Sequence, residues 1–169
     1  MARNKSAEFS IFHIDNPVKC RIIKLVHNGI EFGMLQAIGE GVDLLEHYRD
    51  KLEITEVLRC WRHGSVIRSW LIDLMEAAYR DEEGLDKIPA YVDDTGEVNW
   101  LVDDAMHMEV PVPVIAQAVM QLISSRDDDK FWARAIAMMR HGFGGHKYGH
   151  DPATVRERRQ GQISDFIRD

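Results

Sequence analysis

The sequence predicts an all-α protein: a long central helix packed in a multi-helix bundle, with an extended C-terminal tail. Three observations predict it. Apolar residues recur at steps of three or four over long stretches, the period of a helix face. Glycine and proline punctuate the gaps between those stretches. No segment shows a convincing alternation of apolar and polar residues, so no sheet is expected.

The first helix is predicted from about Val18 to Arg49, on Ile22, Ile23, Val26, Ile30, Met34, Ile38, Val42 and Leu45. At roughly 30 residues it far exceeds the usual helix of about 11–12, which suits a central element buried on several sides. Gly29, Gly33, Gly39 and Gly41 inside it each cost about 1 kcal/mol relative to alanine. For Gly29 and Gly33, close helix packing and close approach of a substrate are equally good reasons. A second helix is expected from Thr55, as N-cap, to Arg62 or His63, with Gly64 as its stop. A third should run from Ser65 to Tyr79. Residues 81–100 read as irregular, with Gly84, Pro89 and Gly96 as breaks. A short helix is expected near Leu101–Met108. Pro113 suits the first turn of the next, to Ser125. Asp128 or Asp129 should begin a last helix ending at Met139, and residues 140–169 read as a tail rich in glycine, histidine and arginine. The domain plan is an irregular segment 1–16, an all-α substrate-binding and dimerisation domain 17–148, and a charged tail 149–169.

Composition narrows the function. At 169 residues and 45% hydrophobic content, the chain can build a real core. A net charge of −7 argues against a general binder of nucleic acid or anionic membrane. With no apolar run near 18 residues and no signal peptide, a cytoplasmic protein is expected. Cys20 and Cys60 lie apart, with no metal-type spacing, and read as reduced thiols. His141, His146, His150 and Asp151 match no familiar ligand pattern, so no metal is expected. Nor does any strand lead into a Gly-x-Gly-x-x-Gly turn, so a dinucleotide-binding domain is missing from the reading.

The chemistry concentrates in Lys24-Leu-Val-His27-Asn28-Gly-Ile-Glu31-Phe32-Gly33. On a helix Asn28 lies about 40° from Lys24, Glu31 about 20° to the other side, and His27 about 60° away. Four polar groups thus share one face of an apolar helix. A lysine and a glutamate so aligned can serve one substrate as base and acid. An ordinary charge pair on a solvated face has the same spacing. Lys24, between Ile23 and Leu25 on a mostly buried helix, should be partly desolvated, which lowers a lysine's pKa. A buried Glu31 would have the raised pKa of an acid.

This segment resembles the substrate-domain signature of the decarboxylating 6-phosphogluconate dehydrogenases, and four further segments are similar to that family in the same order. They are Trp61-Arg-His-Gly-Ser-Val-Ile-Arg-Ser-Trp70, Asp94-Thr-Gly-Glu-Val-Asn-Trp100, Val110-Pro-Val-Pro-Val-Ile115 and Arg140-His-Gly-Phe-Gly-Gly-His146. The likeness spans about residues 16–148 and is nearest to the shorter bacterial form. It implies that Lys24 takes the proton of the substrate's 3-hydroxyl. Glu31 then protonates the carbon left by CO2, and His27 and Asn28 orient the sugar. Phe32 occupies a substrate-contacting position. Arg140 and His146 would reach from the neighbouring subunit of a homodimer. NAD or NADP would be bound mainly by a domain absent from this chain, on a separate nucleotide-binding chain or elsewhere.

Four departures stand out. Phe32 replaces a tyrosine whose hydroxyl contacts the substrate phosphate. Leu122 stands where an arginine is common, with Arg126 the nearest downstream. Asn16-Pro-Val-Lys-Cys20 replaces a glycine-rich helix entry, and the nucleotide-binding half has no counterpart. A natural short product, a split-gene half and a cloned domain all fit that last departure. The expected ligand is a sugar-acid phosphate. The rival expectation is a non-catalytic helical dimer that binds a sugar phosphate or regulates a full-length dehydrogenase.

Overall fold

The computed structural model describes residues 17–48 and 50–150, together with Pro152 and Val155. The N-terminal segment 1–16 and nearly all of the 149–169 tail, including most of the charged helix expected over 151–160, lie outside the described residues. Among the described residues there are six helices and no strand: α1 (Pro17–Glu46), α2 (Ile54–Arg62), α3 (Trp70–Asp81), α4 (Glu97–His107), α5 (Pro113–Ser125) and α6 (Phe131–Gly144). None of them is long and apolar enough to cross a membrane. Cys20 and Cys60 are exposed, and neither forms a disulfide among the described residues.

Packing divides the chain into two units. One takes the described part of residues 1–34 with Asp93–Gln121; the other takes Leu35–Val92 with the described part of 122–169. The first half of α1 therefore belongs to the first unit and its second half to the other. In the first unit Leu25 of α1, Val98 and Leu101 of α4 and Val119 of α5 form the core, with Ile22, Phe32, Val102 and Ile115 packed against it. In the second, Val42 of α1 meets Ile54 and Leu58 of α2, flanked by Trp61, Met75 and Tyr79.

Gly29 is where the first core closes. A methyl there would lie 2.5 Å from Leu101 Cδ2 and 3.2 Å from Ile115. Helix packing therefore accounts for Gly29. A methyl at Gly39 or Gly41 would meet nothing within 4 Å.

The element ends differ from expectation in instructive ways. Thr55 is not the cap of α2; Glu53 holds that position without a side-chain bond. Helix α3 begins at Trp70 rather than Ser65, because the Ser69 hydroxyl accepts from the Ile72 amide and caps it. Gly64, at φ 77°, does end the turn after α2, as only glycine does easily. Helix α4 starts four residues early, at Glu97, behind Gly96 at φ 78°. Helix α6 starts at Phe131, not at Asp128 or Asp129: Asp127 Oδ1 accepts from the Lys130 amide just before it. It then runs to Gly144, so Arg140, His141 and Gly142 are helical rather than tail.

The expectation of a first helix buried on several sides also fails. Ile23, Val26, Ile30 and Met34 are all exposed, in contrast to Leu25. They recur at steps of three and four, so they form one continuous apolar line on α1. Neither α4 nor α5, the described helices that share its unit, covers it.

Candidate functional site

Helix periodicity gives the first half of α1 three stripes. Ile22, Leu25, Gly29 and Phe32 face the core of their unit. Ile23, Val26, Ile30 and Met34 form the open apolar line. Lys24, His27, Asn28 and Glu31 lie between them, as the angles of the helix require.

The polar stripe is tied to α4 by a residue that the sequence reading passed over. Glu97 Oε2 accepts from Asn28 Nδ2 at 2.8 Å and from Lys24 Nζ at 3.4 Å. Two donors on successive turns of α1 thus converge on one carboxylate oxygen. Asn28, about 60° from the core residue Leu25, is half-buried, which brings it within reach of α4. Glu97 stands in the first helical turn, where the helix dipole favours an acid. Its neighbour Val98 is buried in the core and fixes the turn. The signal was present: Glu97 sits directly after Gly96, inside the Asp94–Trp100 segment that carries part of the family likeness. What the sequence lacked was any sign that this turn pairs with Lys24.

His27 completes the stripe. Its Nδ1 lies 3.3 Å from Asn28 Oδ1 and 4.0 Å from Glu31 Oε2. One turn before Lys24, the Arg21 guanidinium sits over the Trp100 ring, 5.7 Å from its centroid. This is a cation–π contact, again between α1 and α4.

The expected desolvation of Lys24 is not met within this chain. Its side chain is 65% exposed and that of Glu31 42%. The cause is the bare apolar line beside them: Ile23, the residue meant to bury Lys24, is itself exposed. Phe32 is half-buried and packs against the first core cluster.

Arg140 and His146 belong to the second unit, and both are exposed. Arg140 lies in the last turns of α6. It is His141 that reaches the His146 segment, donating from Nδ1 to the His146 carbonyl at 2.8 Å and stacking on Tyr148. The His146 ring meets Phe143 edge-on. Gly145, at φ 62°, closes α6 and makes that return possible. Arg126, the downstream substitute for the arginine replaced by Leu122, donates its Nε to the Leu122 carbonyl at 3.2 Å. It thus helps to cap the end of α5. Among the described residues no group of three or more His, Cys, Asp or Glu is placed to hold a metal ion.

Comparison with known proteins gives these residues a context. The family model described as 6-phosphogluconate dehydrogenase, C-terminal domain, matches residues 20–163. YqeC of Bacillus subtilis, which carries 6-phosphogluconate dehydrogenase in its name, is 43% identical over 124 residues, or 73% of this chain and 42% of its own length. An NAD(+)-dependent, decarboxylating 6-phosphogluconate dehydrogenase of Haloferax volcanii is 39% identical over 136 residues, covering 80% of this chain and 46% of the relative. A decarboxylating 6-phosphogluconate dehydrogenase of Lactococcus lactis is 32% identical over 123 residues, 68% of this chain and 26% of the relative. The chain spans less than half the length of these relatives. With six helices in the described residues and the family match running through both of its units, the chain belongs to the 6-phosphogluconate dehydrogenase C-terminal domain family.

Proposed function

We infer that this chain is the substrate-binding and dimerisation half of an NAD- or NADP-dependent oxidative decarboxylase that converts 6-phosphogluconate to ribulose 5-phosphate and CO2. The observation that carries this reading is the convergence of Lys24 Nζ and Asn28 Nδ2 on a single oxygen atom, Glu97 Oε2. The same two donors can hold the oxygen of a substrate hydroxyl, and Lys24 can then take its proton. Glu31, on the same stripe, returns a proton to the carbon that loses CO2. His27 and Asn28 orient the sugar hydroxyls, and the Phe32 ring walls the site. Arg140 and His146 supply the charge-assisted contacts to phosphate or carboxylate from a second subunit.

The described residues do not fit a dinucleotide. They contain no strand, and so no strand–glycine turn–helix to cradle a pyrophosphate. On this reading the hydride acceptor is bound mainly by a domain outside these residues, which would also choose between NAD and NADP.

A homodimer also answers the bare face of α1. Covering Ile23, Val26, Ile30 and Met34 would enclose the adjoining Lys24 and His27 and supply the desolvation that the single chain lacks. The exposure of α6, on which Phe131, Trp132, Met138, Met139 and Phe143 are all open, favours the same arrangement.

Titration calorimetry of the chain with 6-phosphogluconate, and with gluconate as control, tests the reading. Saturable heat from the phosphorylated acid alone, at one site per subunit, is expected. No heat from either acid at millimolar concentration would overturn the substrate-binding role of this chain.

A further inference from the structure

Glu97 holds more than Lys24. An ionised carboxylate has only acceptor atoms. With Glu97 Oε2 2.8 Å away, the Asn28 amide must turn its NH2 toward Glu97 and its Oδ1 the other way. That Oδ1 lies 3.3 Å from His27 Nδ1. An amide oxygen also only accepts, so the hydrogen between them belongs to the histidine. A neutral His27 then carries its proton on Nδ1, and Nε2 becomes its acceptor nitrogen. Glu31, 4.0 Å from the same Nδ1, favours the same tautomer.

We propose that Glu97 is a positioning residue: acting through Asn28, it sets His27 in the Nδ1–H tautomer, so that Nε2 can accept a hydrogen bond from a substrate hydroxyl. The use of Nε2 rests on the substrate-binding reading above; the tautomer does not. The relay runs Glu97 to Asn28 to His27, from the first turn of α4 to the polar stripe of α1. The buried pair Val98 and Leu101 anchors its starting point, and the close approach at Gly29 holds the two helices together there. Without Glu97, nothing in the amide of Asn28 selects which end faces the histidine.

The test is long-range proton–nitrogen NMR of the imidazole rings in the full chain, at mildly alkaline pH where histidines are neutral. In the wild type the His27 Nδ1 signal should fall at the protonated end of the imidazole nitrogen range. Glu97→Gln keeps the size but can present either a donor or an acceptor, so the Nδ1 signal should move toward the unprotonated end. The double variant Glu97→Gln with Asn28→Asp places a carboxylate beside His27 and a donor beside that carboxylate. It should restore the wild-type signal, which a loss of mere structural support would not do. An Nε2–H tautomer in the wild type overturns the proposal. So does a Glu97→Gln spectrum identical to the wild type. If Glu97→Gln fails to fold, the wild-type tautomer and the double variant decide. The spectra need no ligand, so failure of 6-phosphogluconate to bind would sink the functional reading and leave the relay standing. An incorrect tautomer would do the reverse.

Discussion

Each unit of the chain sets a glutamate between two donors, and the two sites differ in what surrounds them. In the second unit Glu76 of α3 receives Arg62 Nη1 at 2.6 Å and Arg80 Nη1 at 2.7 Å, with its own side chain 2% exposed. Arg62 also bonds Asp73 at 2.9 Å, and that hydrogen bond is the main reason its pKa is raised above the ordinary arginine value. Each carboxylate oxygen of Glu76 has a guanidinium, and water has almost no access. In the first unit Glu97 is 34% exposed and spends one oxygen on both Lys24 and Asn28, with the ammonium at a loose 3.4 Å. A saturated, buried carboxylate can only hold structure together. A half-open one, sharing one oxygen between two donors, can give those donors up to a ligand.

The sharpest way to break this comparison is to neutralise each glutamate in turn and measure urea unfolding. Glu76→Gln should cost about 3 kcal/mol, the lower end of the range for breaking a buried ion pair. Both arginines keep some contact with water and so soften the loss. Glu97→Gln should cost less than about 1 kcal/mol, as half-exposed pairs do. Equal losses at the two positions would mean that the Lys24–Glu97 contact is as structural as the other, and the functional reading of the first unit would lose its footing.

The helix period made the polar stripe of α1 legible, because Lys24, His27, Asn28 and Glu31 share a face whatever the helix packs against. It also fixed α5 from Pro113 to Ser125, where a proline begins the helix. The period cannot say which apolar face becomes covered. Ile23 and Leu25 read alike in the sequence, yet one is exposed and the other buried. The expected desolvation of Lys24 failed for that reason. Glu97 was missed because its bonds to Lys24 and Asn28 span about seventy residues of chain, beyond any local pattern. The starts of α3 and α6 slipped for a smaller cause: of the two serines near α3 only Ser69 caps it, and α6 begins behind Lys130 with no side-chain cap, although three aspartates precede it.

The glycines of α1 sharpen the same contrast between units. Gly29, in the first, has Leu101 where a side chain would go, and Leu101 is itself buried with little room to yield. Gly29→Val should destabilise the chain by about 2 kcal/mol through overpacking. Gly39, in the second, faces open space. Gly39→Ala should stabilise by roughly 0.5–1 kcal/mol, by removing the entropy that glycine brings to the unfolded chain. Thermal melts giving shifts of opposite sign would confirm that the first half of α1 is the tightly packed one. A gain at both positions would show that the Gly29 contact relaxes at little cost.

A last effect belongs to the second unit alone and turns on pH. The Tyr79 hydroxyl donates to Glu46 Oε1, near the end of α1. Burial, helped by that carboxylate, pushes the Tyr79 phenol from 10.0 to about 12. The folded chain therefore holds this proton more tightly than the unfolded one. The stabilisation is complete below about pH 10 and fades as the pH rises toward 12, because between those values only the unfolded state releases the proton. Allowing for the partial exposure of the ring, the loss should be about 1 kcal/mol. Lysines and other tyrosines titrate in the same range, so the informative quantity is a difference. Unfolding of wild type and Tyr79→Phe at pH 9 and pH 11 should show the wild type losing more of its stability on that rise than the variant does. Parallel losses would mean that the phenol is not held in its neutral form by the fold. The second unit would then rest on Arg62, Glu76 and its apolar core, with no contribution from this bond at the end of α1.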